Sequence, residues 1–213
     1  MMRPLLKILS PCLLAVLCFA IPVGTFDEET GVGEPGHVTF NPAYGQYTIT
    51  GAGDIGGTSD RFHYVWKKVT GDVGVGADVW FNGNVVSGNQ KAALMIRQSL
   101  DPHSAFAAAV LRSDGAALVQ YRPDSGAVAK STNVISQNNL TASVYVSFER
   151  RGDAFTMAVG KVGKMGGSIP ISSPVTVTMN GPVYVGLAVA SSDPATEGNA
   201  VFSNVRVQSL QAR

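Results

Sequence analysis

Turn-forming residues interrupt residues 36–207 of this chain about every eight to twelve positions, which leaves little room for long helices. The clearest example is the segment 91–122, in which an Asp-Pro pair ending at Pro102 and a Ser-Asp-Gly run ending at Gly115 separate three short apolar runs. Asp, Pro and Gly favour tight turns. The segment therefore predicts an antiparallel β-meander, and the same spacing elsewhere predicts strands throughout the domain.

The predicted strands are short segments rich in Val, Tyr, Phe and Thr. None of them shows a sustained helical period of apolar residues with capping residues, so we expect very little helix. There are too many of them for one open sheet, and two packed sheets can each bury one face against the other. The predicted fold class is therefore all-β, a two-sheet antiparallel β-sandwich. The predicted strands are residues 38–40, 47–52, 62–68, 74–81, 92–99, 105–112, 117–122, 143–150, 154–159, 175–179, 183–191 and 200–208.

Residues 1–20 have the organisation of a secretory signal peptide. Arg3 and Lys7 form a basic start, an apolar centre follows, and a small-x-small pattern ends at Ala20. A membrane anchor is the alternative, but the apolar run is shorter than the ~20 residues that span a bilayer. We therefore predict cleavage after Ala20, a mature chain without a membrane span, and secretion to the periplasm or the extracellular space.

Residues 21–35 mix Gly, Pro and acidic residues without apolar periodicity, and we interpret them as a flexible tether to a domain at 36–208. Both cysteines, Cys12 and Cys18, lie in the predicted signal peptide, so the mature chain has no thiol for a disulfide, a zinc site or a nucleophile. Cleavage leaves 14 of the 16 basic residues against 15 acidic ones, a net charge of −1. Such a chain is a poor match for nucleic acid, whose binding needs cations facing phosphates.

Three ordered blocks carry a family resemblance: DIGGTSDRFHYV at 54–65, KAALMIRQSLDPHS at 91–104, and VYVGLAV at 183–189 followed by AVFSNVRV at 200–207. They resemble the concanavalin A-like sandwich family that occurs in secreted bacterial proteins and is similar to the domain named for regulation of enolase in fungi. The resemblance implies a concanavalin A-like jelly roll over residues 36–208. Lectins, carbohydrate-binding modules and glucanases share that architecture, which implies a carbohydrate ligand.

The sequence departs from the family pattern at three places. Gly57 stands where an aromatic residue is common, and Gln98 stands where a glutamate is common. Residues 161–167, KVGKMGG, replace the usual Asp-Gly-x-x-Trp hairpin. These changes remove two aromatic rings and one carboxylate from the sugar site that the resemblance implies.

The pattern of acidic residues and histidines argues against catalysis. Glycoside hydrolysis needs two carboxylates, about 5–5.5 Å apart for retention and further apart for inversion. The E-x-D-x-E strand of related glucanases is missing, and most acidic residues lie beside turns, which explains their presence. The histidines, His37, His63 and His103, accompany no Gly-x-Ser-x-Gly elbow. We expect a non-catalytic protein, with a divergent glycoside hydrolase or lyase as the alternative.

Four side chains are candidate ligand contacts: His63, Trp80, Arg97 and Tyr121. His63 alternates with a row of aromatic residues, and Arg97 is a lone cation in an apolar strand. A purely structural role is the alternative for both. Trp80, near a strand end, and Tyr121 are candidates for stacking on a sugar ring.

No cofactor or metal site is predicted, although calcium is an alternative because Asp54 and Asp60 flank a Gly-Gly-Thr-Ser loop. The sequence predicts a secreted, non-catalytic β-sandwich that binds a polysaccharide, a glycan or another cell-surface polymer. A structural or protein-interaction domain without a small ligand is the alternative. A groove that gathers an exposed aromatic ring and two or more polar side chains would favour carbohydrate binding.

Overall fold

The computed structural model describes residues 23–82, 89–136, 143–162 and 169–211. These residues form fifteen β-strands, and among them there is no helix that could cross a membrane. The strands are β1 (Glu28–Val32), β2 (Gly36–Asn41), β3 (Gln46–Gly53), β4 (Phe62–Val69), β5 (Val73–Phe81), β6 (Lys91–Arg97), β7 (Phe106–Arg112), β8 (Ala117–Arg122), β9 (Lys130–Ile135), β10 (Val144–Arg151), β11 (Ala154–Gly160), β12 (Ile169–Pro170), β13 (Val175–Thr176), β14 (Val183–Ala190) and β15 (Asp193–Ser209).

The strands form two antiparallel sheets. The seven-stranded sheet has the order β1-β4-β14-β6-β7-β8-β9. The eight-stranded sheet has the order β12-β11-β10-β5-β15-β3-β2, with β13 paired to β11. Strands β6, β7 and β8 are neighbours and form the meander predicted for residues 91–122. The predicted all-β, two-sheet antiparallel sandwich is confirmed.

One apolar layer lies between the sheets. Val75 and Val79 of β5 and Leu94 and Ile96 of β6 belong to this buried cluster. In the strands that border this layer, every second side chain enters it, because successive side chains of a strand point to opposite faces. Full burial of a side chain of this size contributes about 1.5–3 kcal/mol, so this layer is the main source of stability.

A second buried apolar layer covers the outer face of the seven-stranded sheet. It includes Phe62, Tyr64, Met95 and Phe106, and the loop after β3 places Ile55 among them. Both faces of its central strands are therefore buried, which explains the almost continuous apolar runs of β6 and β7. The outer face of the eight-stranded sheet instead presents polar side chains, which include Ser147, Glu149, Arg206 and Gln208.

Each predicted strand coincides with an observed one, although the segment 175–179 is a strand only at Val175–Thr176. Strands β1, β9 and β12 are not predicted by the sequence. Strands β1 and β9 are edge strands, and β9 is largely exposed, so neither shows a strong alternation of apolar and polar residues.

The tether prediction for residues 21–35 is wrong from residue 23 onwards, because Glu28–Val32 form β1 and pair with β4. Phe26 and Val32 are each 1% exposed, and the Phe26 ring packs edge-on against Tyr47 with 5.4 Å between centroids. Burial of these two side chains makes the segment part of the domain. Residues 1–22, which contain the predicted signal peptide, lie outside the described residues.

Candidate functional site

Arg97 is completely buried on the outer side of the seven-stranded sheet. Its Nε atom donates to the carbonyl of Ser99 and its Nη2 atom to that of Asp101, both at 2.6 Å, and Nη1 lies 3.4 Å from the Asp60 carboxylate. The guanidinium also lies over the Phe62 ring, 5.1 Å from its centroid. Burial lowers the pKa of Arg97, and the Asp60 carboxylate opposes that change. Arg97 holds the turn after β6 and offers no surface to a ligand, contrary to its selection as a ligand contact.

Arg122, which the sequence did not single out, completes this buried network. Its guanidinium donates to both carboxylate oxygens of Asp60, at 2.8 and 2.7 Å, and neither side chain is exposed. It also donates to backbone carbonyls in three covering segments, those of Gly56, Gly57, Pro102, Ser104 and Ala127. The hydrogen bonds of this network therefore hold the loops in place over the outer face of the seven-stranded sheet, where a ligand would otherwise have access.

Asp54 and Asp60, the residues of the calcium alternative, both face cations. Asp54 Oδ1 lies 2.7 Å from Lys91 Nζ, and Asp60 is bonded by Arg122. The described residues contain no group of three or more His, Cys, Asp or Glu side chains that could hold a metal ion. This geometry does not support the calcium alternative.

His63 is 3% exposed and shares a strand face with Val65 of the inter-sheet core. Its Nε2 atom lies 2.7 Å from Glu29 Oε2, which also accepts the backbone N–H of Val38 at 2.8 Å. Burial lowers the pKa of His63, and the bond to Glu29 partly opposes this change. His63 therefore connects β1, β2 and β4, and its burial argues against the predicted contact with a ligand.

Tyr121 and Trp80 are both half-buried, but they lie in different layers. Tyr121 packs against the inter-sheet core, whereas Trp80 lies on the outer face of the eight-stranded sheet, paired with Val201. The structure does not bring the four predicted contacts together. Of the four, Trp80 is the one on the polar outer face.

The turn between β2 and β3 presents Tyr44, whose side chain is 74% exposed. Asn41 Oδ1 accepts the N–H of Ala43 at 3.1 Å, as in an Asx turn. The N–H of Tyr44 then donates to the Asn41 carbonyl at 3.3 Å, and Gly45 follows with φ of +55°. Glycine adopts this left-handed conformation without strain. The local sequence Asn-Pro-Ala-Tyr-Gly therefore presents the tyrosine ring at the end of the sheet.

A β-bulge in β15 turns Arg206 toward solvent. Before the bulge, the side chain of Phe202 points into the inter-sheet core, and after it the side chains of Val205 and Val207 do so. Strict alternation from Phe202 would instead have placed the side chain of Arg206 in this core. A bulge inserts one residue and so exchanges the two faces of a strand. Arg206 is therefore exposed on the outer face of the eight-stranded sheet.

Asn204 is the residue that permits this bulge. It adopts φ of +50°, a conformation that Asn tolerates better than most residues. Its Nδ2 atom donates to Asp78 Oδ2 at 2.5 Å, and Asp78 is fully buried in β5. This bond ties the bulge to the neighbouring strand.

Tyr44 and Arg206 line one concavity of about 210 Å³, which we name the Tyr44 pocket. The N-terminal segment forms one of its walls, because the N–H of Thr25 donates to the Tyr47 hydroxyl at 2.7 Å. The pocket combines an exposed aromatic ring with hydroxyl, amide and guanidinium groups. Its lining residues are Thr25, Phe40, Tyr44, Gly45, Tyr47, Asn204, Val205 and Arg206.

Arg206 also lines a shallow groove of about 30 Å³, which we name the glycine trough. Gly74 and Gly76 of β5 form its floor, and a Cβ atom at Gly76 would lie 2.3 Å from the Tyr145 hydroxyl. Burial raises the pKa of Tyr145, whereas Arg206 opposes that change. The walls are side chains of β10 and β15, namely Tyr145, Ser147, Glu149, Arg206 and Gln208.

The fold and this surface define an antiparallel β-sandwich of jelly-roll type with a polar concavity on one sheet. No protein-family model and no curated protein sequence match the chain. Solved structures do match. A functionally unknown protein from Saccharomyces cerevisiae is 15% identical with a TM-score of 0.63, over 86% of this chain and 97% of that one.

Two further structures have names that refer to function. The carbohydrate-binding module CBM66 from Bacillus subtilis is 17% identical with a TM-score of 0.57, over 85% of this chain and 95% of its own. An alginate lyase from Klebsiella pneumoniae is 10% identical with a TM-score of 0.55, over 83% and 85%. At these identities the likeness shows the fold alone, and it confirms the concanavalin A-like sandwich that the sequence resemblance implies.

Proposed function

We propose that this chain is a secreted, non-catalytic β-sandwich that binds carbohydrate, as free polysaccharide or as a cell-surface glycan, at the Tyr44 pocket. The observation that carries this proposal is one concavity that joins the exposed Tyr44 ring to the exposed Arg206 guanidinium and to hydroxyl and amide groups. An aromatic plane packs against the apolar face of a pyranose, while polar groups bond its hydroxyls. The glycine trough along β5 shares Arg206 with this pocket.

The comparisons support this proposal at the level of fold. One structure of the same fold is named a carbohydrate-binding module and another an alginate lyase. A shared fold does not by itself transfer a ligand, so the chemistry of the pocket carries more weight. Membership of the bacterial family similar to the fungal enolase regulator, and secretion through residues 1–20, belong to the same proposal.

The two concavities favour binding over glycoside hydrolysis. A hydrolase of the common kind needs two carboxylates about 5–9.5 Å apart, one on each side of the bond that breaks. Among the described residues that line the pocket and the trough, Glu149 is the one carboxylate. A protein-interaction domain would need no groove with these groups, so the pocket also favours a glycan over the structural alternative.

Affinity electrophoresis of the chain in native gels that contain neutral or acidic polysaccharides tests the proposal. Tyr44→Ala should weaken the retardation about tenfold, because an aromatic ring at the centre of a contact typically contributes more than about 1 kcal/mol. Tyr44→Phe, which keeps the ring, should retain most of the retardation.

Ile169→Ala is the matched control, because it removes an apolar side chain that is 68% exposed from β12. This variant should be retarded as strongly as the unmodified chain. The absence of retardation by every polysaccharide would contradict the proposal. Equal losses of retardation in Tyr44→Ala and Ile169→Ala would contradict the assignment of the binding site to the Tyr44 pocket.

A further inference from the structure

The Tyr44 pocket carries positive charge and no carboxylate among its lining residues. Arg206 is its cation, and Lys67 Nζ donates to the carbonyl oxygen of Thr25 at 3.3 Å, beside the pocket. We infer that the pocket selects a sugar that bears a carboxylate, that is, a uronate residue. This inference rests on the proposed carbohydrate binding and specifies its ligand class.

The balance of donors and acceptors supports a carboxylate. An ionised carboxylate accepts hydrogen bonds and donates none, whereas a sugar hydroxyl does both. The Tyr47 hydroxyl accepts the N–H of Thr25 at 2.7 Å, and because Tyr47 is 1% exposed it shapes the wall of the pocket and is not a ligand contact. Arg206 adds N–H groups in a planar fork that fits a carboxylate. Arg206 is thus the charged donor that the pocket offers to a carboxylate.

Arg206 can donate hydrogen bonds to a ligand in addition to its contacts within the protein. It is exposed, and a guanidinium carries five N–H donors that point in different directions. A charge-assisted hydrogen bond is roughly twice as strong as a neutral one. A uronate should therefore gain more from Arg206 than the neutral sugar of the same ring does.

The size of the pocket and the position of Glu149 determine where the carboxylate of the ligand binds. A concavity of about 210 Å³ is small for a binding site and suits one sugar ring rather than a long segment. Glu149 lines the glycine trough but not the Tyr44 pocket, and it would repel a second carboxylate there. The uronate sugar of the polymer therefore belongs in the Tyr44 pocket, and its neutral neighbouring sugars belong in the glycine trough.

Affinity electrophoresis with matched pairs of polysaccharides tests the inference. Alginate, polygalacturonate and glucuronoxylan are used in native form and after reduction of their carboxyl groups, which converts each uronate to the neutral sugar. At least one native polymer should bind about tenfold more tightly than its reduced form. Arg206→Gln should abolish that preference, whereas Lys130→Gln, which removes an exposed charge from β9, should retain it.

The outcomes separate this inference from the proposed function. Equal retardation by native and reduced polymers would overturn the uronate inference and leave carbohydrate binding intact. Retardation by none of these polymers and by no neutral polysaccharide would overturn both. A preference that persists in Arg206→Gln, or one that disappears equally in Lys130→Gln, would show that Arg206 does not provide the selectivity. Unchanged thermal unfolding of both variants establishes that the fold is intact.

Discussion

His63 is buried and bonded to the partly exposed Glu29, and its titration makes the stability of the fold depend on pH. Burial lowers the pKa of His63 in the folded state below its ordinary value of 6.5. Protonation would also place a hydrogen on Nδ1, a buried atom without a hydrogen-bond partner in the described structure. The unfolded chain therefore takes up this proton at a higher pH than the folded chain does.

Stability should consequently fall as the pH drops through 6.5 toward the lower pKa of the folded state. Urea unfolding between pH 7.5 and pH 5 measures this change. His63→Gln, which cannot titrate, should flatten the pH dependence. If the free energy of unfolding of His63→Gln changes with pH as it does in the unmodified chain, His63 is not the source of the pH dependence.

Arg97 and Arg206 show how far single residues can be interpreted from the sequence. Arg97 is conspicuous because it interrupts an apolar strand, and yet it is fully buried and bonded to backbone carbonyls. Arg206 sits inconspicuously between two valines. Its orientation depends on the change of alternation between Phe202 and Val205, which can be seen in the sequence and predicts a bulge.

At the scale of strands, the contrast between apolar and polar positions decides what can be predicted. Strands β6 to β8 stand out because turn formers bound clear apolar runs. Strand β1 lies at a sheet edge, and its sequence, Glu-Glu-Thr-Gly-Val, has little apolar alternation. The Tyr44 pocket could not be predicted either, since it joins three segments that are distant in the sequence.

The bulge in β15 should depend on the conformation of Asn204. Asn204→Gly preserves the left-handed backbone but loses the bond to the buried Asp78, which should cost about 1–3 kcal/mol. Asn204→Val loses the same bond and also places a branched side chain at a φ of +50°, which should cost about 1–2 kcal/mol more. Free energies of unfolding in urea measure the difference, and equal values for the two variants would contradict this account of the bulge.

In the molecule as a whole, the two sheets differ in the burial of their outer faces. The central strands of the seven-stranded sheet are buried on both faces, and the network of Arg97, Arg122 and Asp60 fastens the loops that cover the sheet. The eight-stranded sheet buries one face and presents polar side chains on the other. This asymmetry explains why Arg97 is structural and why Arg206 is exposed.

NMR chemical shifts of backbone amides show whether carbohydrate binds at the Tyr44 pocket. The chain is titrated with an oligosaccharide of whichever polysaccharide retards it most in the gels. The largest shift changes should fall on residues 44–47 and 204–208, with little change near Arg97 and Arg122. Changes centred on the loops over the seven-stranded sheet, or no changes at saturating oligosaccharide, would contradict it.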